Sequence, residues 1–239
     1  MKNLGKFVNK QKNKLRCWLD PRTKNSYVEN LNLIAKNSKI ITSTLIGKVK
    51  VDEHVILKDV TIHNHSEIHV SIGRYTRLTG PNTRIRSILN PVSIGNFSSI
   101  ASNVSFQEYN HFTDRVTTYY VFQNVFNEWD SHFDKTSKGP IRIGHDVWIG
   151  MNTTILSGVR LGDGVIIGAN SVVTHDIEPY TIAAGVPTRM IKQRFSQEII
   201  DELLKLQWWY WSRNKILKNR SLFEGKLTME KIKNVIEFP

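Results

Sequence analysis

Residues 143–178, IGHDVWIGMNTTILSGVRLGDGVIIGANSVVTHDIE, place an aliphatic side chain at every sixth position: Ile143, Ile149, Ile155, Leu161, Ile167 and Val173. The next residues are Gly144, Gly150, Leu156, Gly162, Gly168 and Thr174, small or tight-turning in five of six cases. Four places after each aliphatic come Val147, Thr153, Val159, Val165, Ser171 and Ile177, each small or β-branched. A helix repeats every 3.6 residues and a half-buried strand every two, so a period of six fits neither. A short strand, a tight corner and another short strand do give six. Such repeats specify a parallel β-helix, with the aliphatics pointing into a narrow core. With three faces per coil, about 18 residues make a turn, and this stretch supplies two regular coils.

The pattern recurs upstream. Ile94, Ile100 and Phe106 are spaced by six, with Ile72–Leu78 and Val51–Leu57 as earlier pairs. The gaps from 57 to 72 and from 78 to 94 are not multiples of six, so extra residues are expected at those corners. Residues 40–106 and 141–178 thus read as one solenoid of five to six coils, and the six-for-six run argues against an ordinary β-sandwich. Between the blocks, residues 107–140 lack the period. A loop of that length in a compact domain is usually functional or disordered. Its Tyr109, Phe112, Tyr119, Tyr120, Phe122, Phe126, Trp129 and Phe133 favour a structured excursion.

The chain has 239 residues, 33 basic against 21 acidic side chains, and one cysteine. That length can bury a core without disulfides, and Cys17 has no internal partner. No apolar run approaches the roughly 18 residues a membrane span needs, and the charged start lacks a signal-peptide core. The expectation is a soluble cytoplasmic protein. Residues 1–24 hold eight basic side chains against Asp20 alone. Leu4, Phe7, Val8, Leu15, Trp18 and Leu19 fall on one side of a helix there. That helix either rests on anionic lipid at the inner face of the membrane or packs on its own domain or a neighbouring subunit. The net charge of +12 asks for an acidic partner, and composition alone does not choose among nucleic acid, membrane and a phosphate-bearing cofactor.

The string Asn110-His111-Phe112-Thr113-Asp114, followed by Thr117-Thr118-Tyr119, resembles the active-site loop of the hexapeptide-repeat acetyltransferases. The repeat run, extended through IEPYTIAAGVPTRMIKQRF, and the tail SQEIIDELLKLQWWYW are similar to the xenobiotic branch, which acetylates chloramphenicol and streptogramins. The resemblance covers roughly residues 92–215 and thins toward the N-terminus. It implies a left-handed β-helix, which breaks the usual right-handed crossover rule. It also implies a homotrimer and acyl transfer from acetyl-coenzyme A at subunit interfaces, with no nucleic acid. The expected organisation is a basic helical segment at 1–37, the β-helix at 38–195 with its loop at 107–140, and a helical tail at 196–239.

Transfer from a thioester to a hydroxyl needs the acceptor proton removed, the carbonyl polarised and the reactants aligned. The chain offers no Gly-x-Ser-x-Gly elbow, and Cys17 lies outside every motif, so direct attack is the economical route. His111 matches the family's catalytic histidine, and histidine ordinarily titrates near neutrality. Asp114 and Tyr119 are candidates for touching or orienting the acceptor, and loop capping explains Asp114 equally well. Positions matching the family's coenzyme A contacts are Met151, Ala169, Thr174, His175, Arg189 and Lys192. Met151 replaces a small residue and His175 a lysine. Arg189 and Lys192 suit pyrophosphate and ribose phosphate. Trp148 either lines the cofactor tunnel or caps a coil.

His63, His65 and His69, with Glu67, share one face if extended, but solvent-facing strand positions explain them without a metal. His54, His132 and His145 read as surface or corner residues. Ser196 reads as the cap of a helix, docked on the solenoid by Trp208, Trp209 and Trp211. The expected function is acetyl transfer to a hydroxyl of a glycan. Acetylation of an antibiotic hydroxyl, N-acetylation of an amino sugar and a noncatalytic scaffold are the alternatives.

Overall fold

The computed structural model describes residues 2–65 and 69–236, with side chains from residue 11 onward. Its body is a parallel β-solenoid of about seven turns. Each regular coil lays its strands on the next: Ile143 pairs with Leu161, Ile149 with Ile167 and Ile155 with Val173. All six of these aliphatics and all six residues four places later are buried. The small positions have a second role beyond fitting the taper. Thr153 Oγ1 donates to the Gly150 carbonyl at 2.8 Å, and Ser171 Oγ to that of Gly168 at 2.7 Å. These hydroxyls satisfy corner carbonyls that a buried backbone cannot leave unpaired.

Corners are made by residues in the left-handed region. Asn82, Asn103, Asn152 and Asn170 have φ of 61°, 59°, 58° and 58°. Asparagine tolerates that conformation, and its amides bond along the axis: Asn82 to Asn103 and Asn152 to Asn170, each at 3.0 Å. The expected extra residues appear at the corner after Leu78, whereas the gap from 57 to 72 runs through residues outside the described ones. Strands Ile56–Asn64 and Arg77–Ser87 run across a corner with a register shift between Lys58 and Val60. Gly80 faces Asp59 there, and a Cβ would meet the Asp59 carbonyl oxygen at 2.0 Å.

Among the described residues, α1 (Lys2–Leu19), α2 (Val121–Asn124), α3 (Ser131–Asp134) and α4 (Gln197–Leu206) accompany the solenoid, and three shorter helices, Arg213–Lys218, Arg220–Phe223 and Met229–Lys233, follow α4. The solenoid starts before the expected boundary at 37/38. Thr23–Lys24 and Tyr27–Val28 already pair with Ile40–Ile41 and Thr44–Leu45. These N-terminal coils repeat at 17 residues, as in the Ser43–Val60 contact, which breaks the period of six.

Helix α1 packs through a different side from the expected one. Cys17 is buried, with Sγ 3.2 Å from the Val28 amide and 3.4 Å from its carbonyl. Leu15, Trp18 and Leu19 point to solvent. Leu4, Phe7 and Val8 lie outside the described side chains. No helix among the described residues is long and apolar enough to cross a membrane.

At the other end, Arg189–Gln193 turns back antiparallel on Thr181–Ala184. Ser196 is the N-cap residue of α4, though its side chain makes no capping bond. The tryptophan cluster docks as anticipated, with Trp209 and Trp211 buried. His145 stacks on Trp209 at 5.3 Å, accepts from the Asn96 amide at Nδ1 (2.8 Å) and meets the Tyr210 hydroxyl at Nε2 (2.9 Å). Nδ1 is therefore the lone-pair nitrogen and Nε2 carries the proton. Arg74 closes the contact by donating to the Trp209 and Trp211 carbonyls.

Candidate active site

The inserted loop leaves the solenoid after strand Ser105–Gln107 and returns at Ile141–Ile143. Its two ends are tied together. Asn110 and Thr136 exchange backbone bonds of 2.7 and 2.9 Å, and Ser137 Oγ donates to the Glu108 carbonyl at 2.7 Å. The Asn110 amide also donates to Ser157 Oγ at 2.9 Å, fixing the loop to the next coil. The fully buried Glu108 carboxylate accepts from the Ile88 and Leu89 amides and from Asn90 Nδ2, each at 2.9 Å. Asp134, also buried, accepts from the Phe122 and Gln123 amides and so holds the first turn of α2.

His111 is the first residue beyond this tied base, and it is exposed. Its Nδ1 lies 2.6 Å from the Thr118 carbonyl oxygen. A carbonyl only accepts, so Nδ1 carries the proton and Nε2 keeps its lone pair. The ring stacks on Tyr120 at 4.5 Å with 17° between planes. Burial raises the Tyr120 hydroxyl above its ordinary value, so it stays protonated beside the imidazole. Asp114 is exposed, as is Tyr119, whose backbone amide donates to Thr117 Oγ1 at 3.1 Å.

The remaining candidates fall into two places. Trp148, Ile166, Ile182 and Lys192 form one row across an outer face. Trp148 is 55% exposed there. Arg189 pairs with Ala184 at the end of the same sheet. Met151 and Ala169 stand exposed at the corner beside the asparagine ladder. Thr174 and His175, linked by a 3.1 Å contact, instead follow strand Val172–Val173, which stacks on Thr154–Leu156. That is the edge where Ser157 holds Asn110.

The histidines near residue 65 separate. His63 belongs to a strand pairing with Arg86, and His69 to one pairing with Lys48 on another face. Glu67 lies outside the described residues. Among the described residues no three His, Cys, Asp or Glu side chains group to hold a metal. His54 and His145 occupy corners, and His132 is exposed on the loop.

The bacterial transferase hexapeptide (six repeats) family signature matches residues 140–175. A probable macrolide acetyltransferase of Lysinibacillus sphaericus is 42% identical over 151 residues, covering 59% of this chain and 81% of that protein. The chain belongs to the hexapeptide-repeat acetyltransferases. A chloramphenicol acetyltransferase of Klebsiella aerogenes is 38% identical over 136 residues, covering 55% of this chain and 65% of its relative. Among solved structures, a galactoside acetyltransferase in complex with coenzyme A is 30% identical, with a TM-score of 0.43. It covers 58% of this chain and 62% of that one.

Within this acetyltransferase, sequence reasoning missed the supports of His111. Thr118 acts through its carbonyl, which no residue type reveals. Asn110 was visible beside the histidine, but its partner Ser157 is 47 residues away. Glu108 carried the clearest signal, an isolated acid directly after a core strand.

Proposed function

We propose that this acetyltransferase moves an acetyl group from acetyl-coenzyme A directly to a hydroxyl of its acceptor, with His111 as general base. The observation that carries this is the His111 Nδ1–Thr118 contact, which leaves Nε2 as a free acceptor at the mouth of the loop. Nε2 removes the hydroxyl proton as the oxygen attacks the thioester carbonyl. The C–S bond then breaks, and the imidazolium returns the proton to the departing thiolate. The Thr118 carbonyl stabilises the transient imidazolium.

The donor belongs on the outer face. Three strand spacings separate Trp148 from Lys192, about 14 Å, which suits an extended pantetheine arm. Arg189 and Lys192 then meet the phosphates, while Ala169 leaves room at the edge. His111 rises from a different edge of the same solenoid. This separation supports a homotrimer in which one subunit's loop completes a site on its neighbour's outer face.

A glycan hydroxyl is the favoured acceptor. An antibiotic hydroxyl is the second reading, favoured by the macrolide and chloramphenicol relatives. Following thiol release from acetyl-coenzyme A with sugars, chloramphenicol and a macrolide separates the two. Initial rates with both substrates varied should give intersecting lines, as a ternary complex requires. Parallel lines, the mark of an acetyl-enzyme, would overturn direct transfer.

A further inference from the structure

A cleft of about 460 Å³ opens between the inserted loop and the N-terminal coils, away from the Trp148–Lys192 row. That volume is in the range of sites for small organic ligands. Its walls carry Arg86, Lys135, His63 and His65, with Tyr109 and Tyr120 between them. Arg86 stands beside His63 on paired strands and lies 5.7 Å from the Tyr109 ring. Lys135 Nζ is 6.0 Å from that ring and 4.7 Å from the Tyr120 ring. The aromatic faces thus hold both cations against the wall of the cleft.

The acids near this cleft do not neutralise the pair. Glu108 and Asp134 are buried, with their carboxylates engaged by amide donors. Glu29, on the cleft's wall, binds the Gly47 amide at 2.7 Å. Exposed Asp130 is paired with His132 at 2.9 Å. Among the described residues, no carboxylate forms an ion pair with Arg86 or Lys135. Tyr120 connects this charge to the chemistry, because it is also the ring on which His111 stacks.

We infer that the cleft takes an anionic acceptor, a sugar bearing a carboxylate or a phosphate. Arg86 and Lys135 hold the acidic group and direct a neighbouring hydroxyl toward His111. The inference rests on His111 being the base, and it narrows the acceptor to acidic glycans.

The test is calorimetric binding of glucuronate, glucose 1-phosphate and uncharged methyl glucoside to the full chain, at low and high salt. At least one of the two anions should bind tenfold or more tighter than the glucoside, and added salt should shrink the difference. Binding by only one identifies the group. Arg86→Gln with Lys135→Gln should abolish the preference, whereas Arg77→Gln, exposed at the far end of the same strand and outside the cleft, should not. Equal affinity for the glucoside, no anion binding, or a preference that survives the double substitution would overturn the inference. His111→Ala should leave anion binding intact, so failure of acetyl transfer and failure of the cleft are read separately.

Discussion

Replacing Glu108 with alanine tests whether one buried carboxylate holds the loop to the solenoid. The side chain is fully buried and accepts three hydrogen bonds of 2.9 Å, two from backbone amides and one from Asn90. Removing it leaves three donors without a partner in a partly buried turn. Each such loss costs about 1–3 kcal/mol, and partial access of water to the turn lowers the sum to about 2–4 kcal/mol. For a chain of this size that is a drop in Tm of roughly 5–15 °C by thermal circular dichroism. Glu108→Gln keeps the shape but turns an amide donor toward these donors, so it should destabilise nearly as much. A loss under about 1 kcal/mol for both variants would refute the reasoning, since the bonds would then be dispensable.

Other consequences are more local. Gly164→Ala forces a Cβ onto φ +69° and within 2.4 Å of the Tyr180 ring, and should cost about 2–4 kcal/mol by chemical denaturation. Burial holds the His145 imidazole below its ordinary value, with Asp163 opposing weakly. The unfolded chain therefore takes up this proton first as pH falls below about 6.5, and stability drops there; above that pH the group contributes no dependence. His145→Gln, which can still accept from Asn96, should flatten this part of a Tm–pH profile. Asn110→Ala should lower kcat about tenfold with KM and Tm little changed, because it loosens the seat of His111. Ser157→Ala should add little on top of it.

The solenoid was legible where its coils are regular. At 143–178 the stacked pairs are 18 residues apart, so the inward side chains print a strict period in the sequence. In the first coils the spacing falls to 17, and Thr23–Lys24 and Tyr27–Val28 are too short to show a pattern of their own. Helix α1 misled for another reason. Its apolar residues suggested one packing side, while the solenoid engages Asn13 and Cys17, a polar and a small residue on another. At the site, the string around His111 pointed to the residue proposed as the base, which stands just beyond the tied ends of the loop. What orients it is a backbone carbonyl seven residues on and a contact to a distant coil, neither of which leaves a side-chain signature. The candidate cofactor residues were chosen by motif, and the strand register places Trp148 and Lys192 in one row while putting Thr174 and His175 at another edge.

The most direct measurement is thiol release from acetyl-coenzyme A by the wild-type chain and by His111→Ala, with an accepted acceptor at saturation and coenzyme A binding measured alongside. The account predicts a fall in kcat of about 10²–10⁴ for the variant, with coenzyme A affinity unchanged. Turnover within about threefold of wild type would contradict it, because proton removal by His111 would then not limit the transfer.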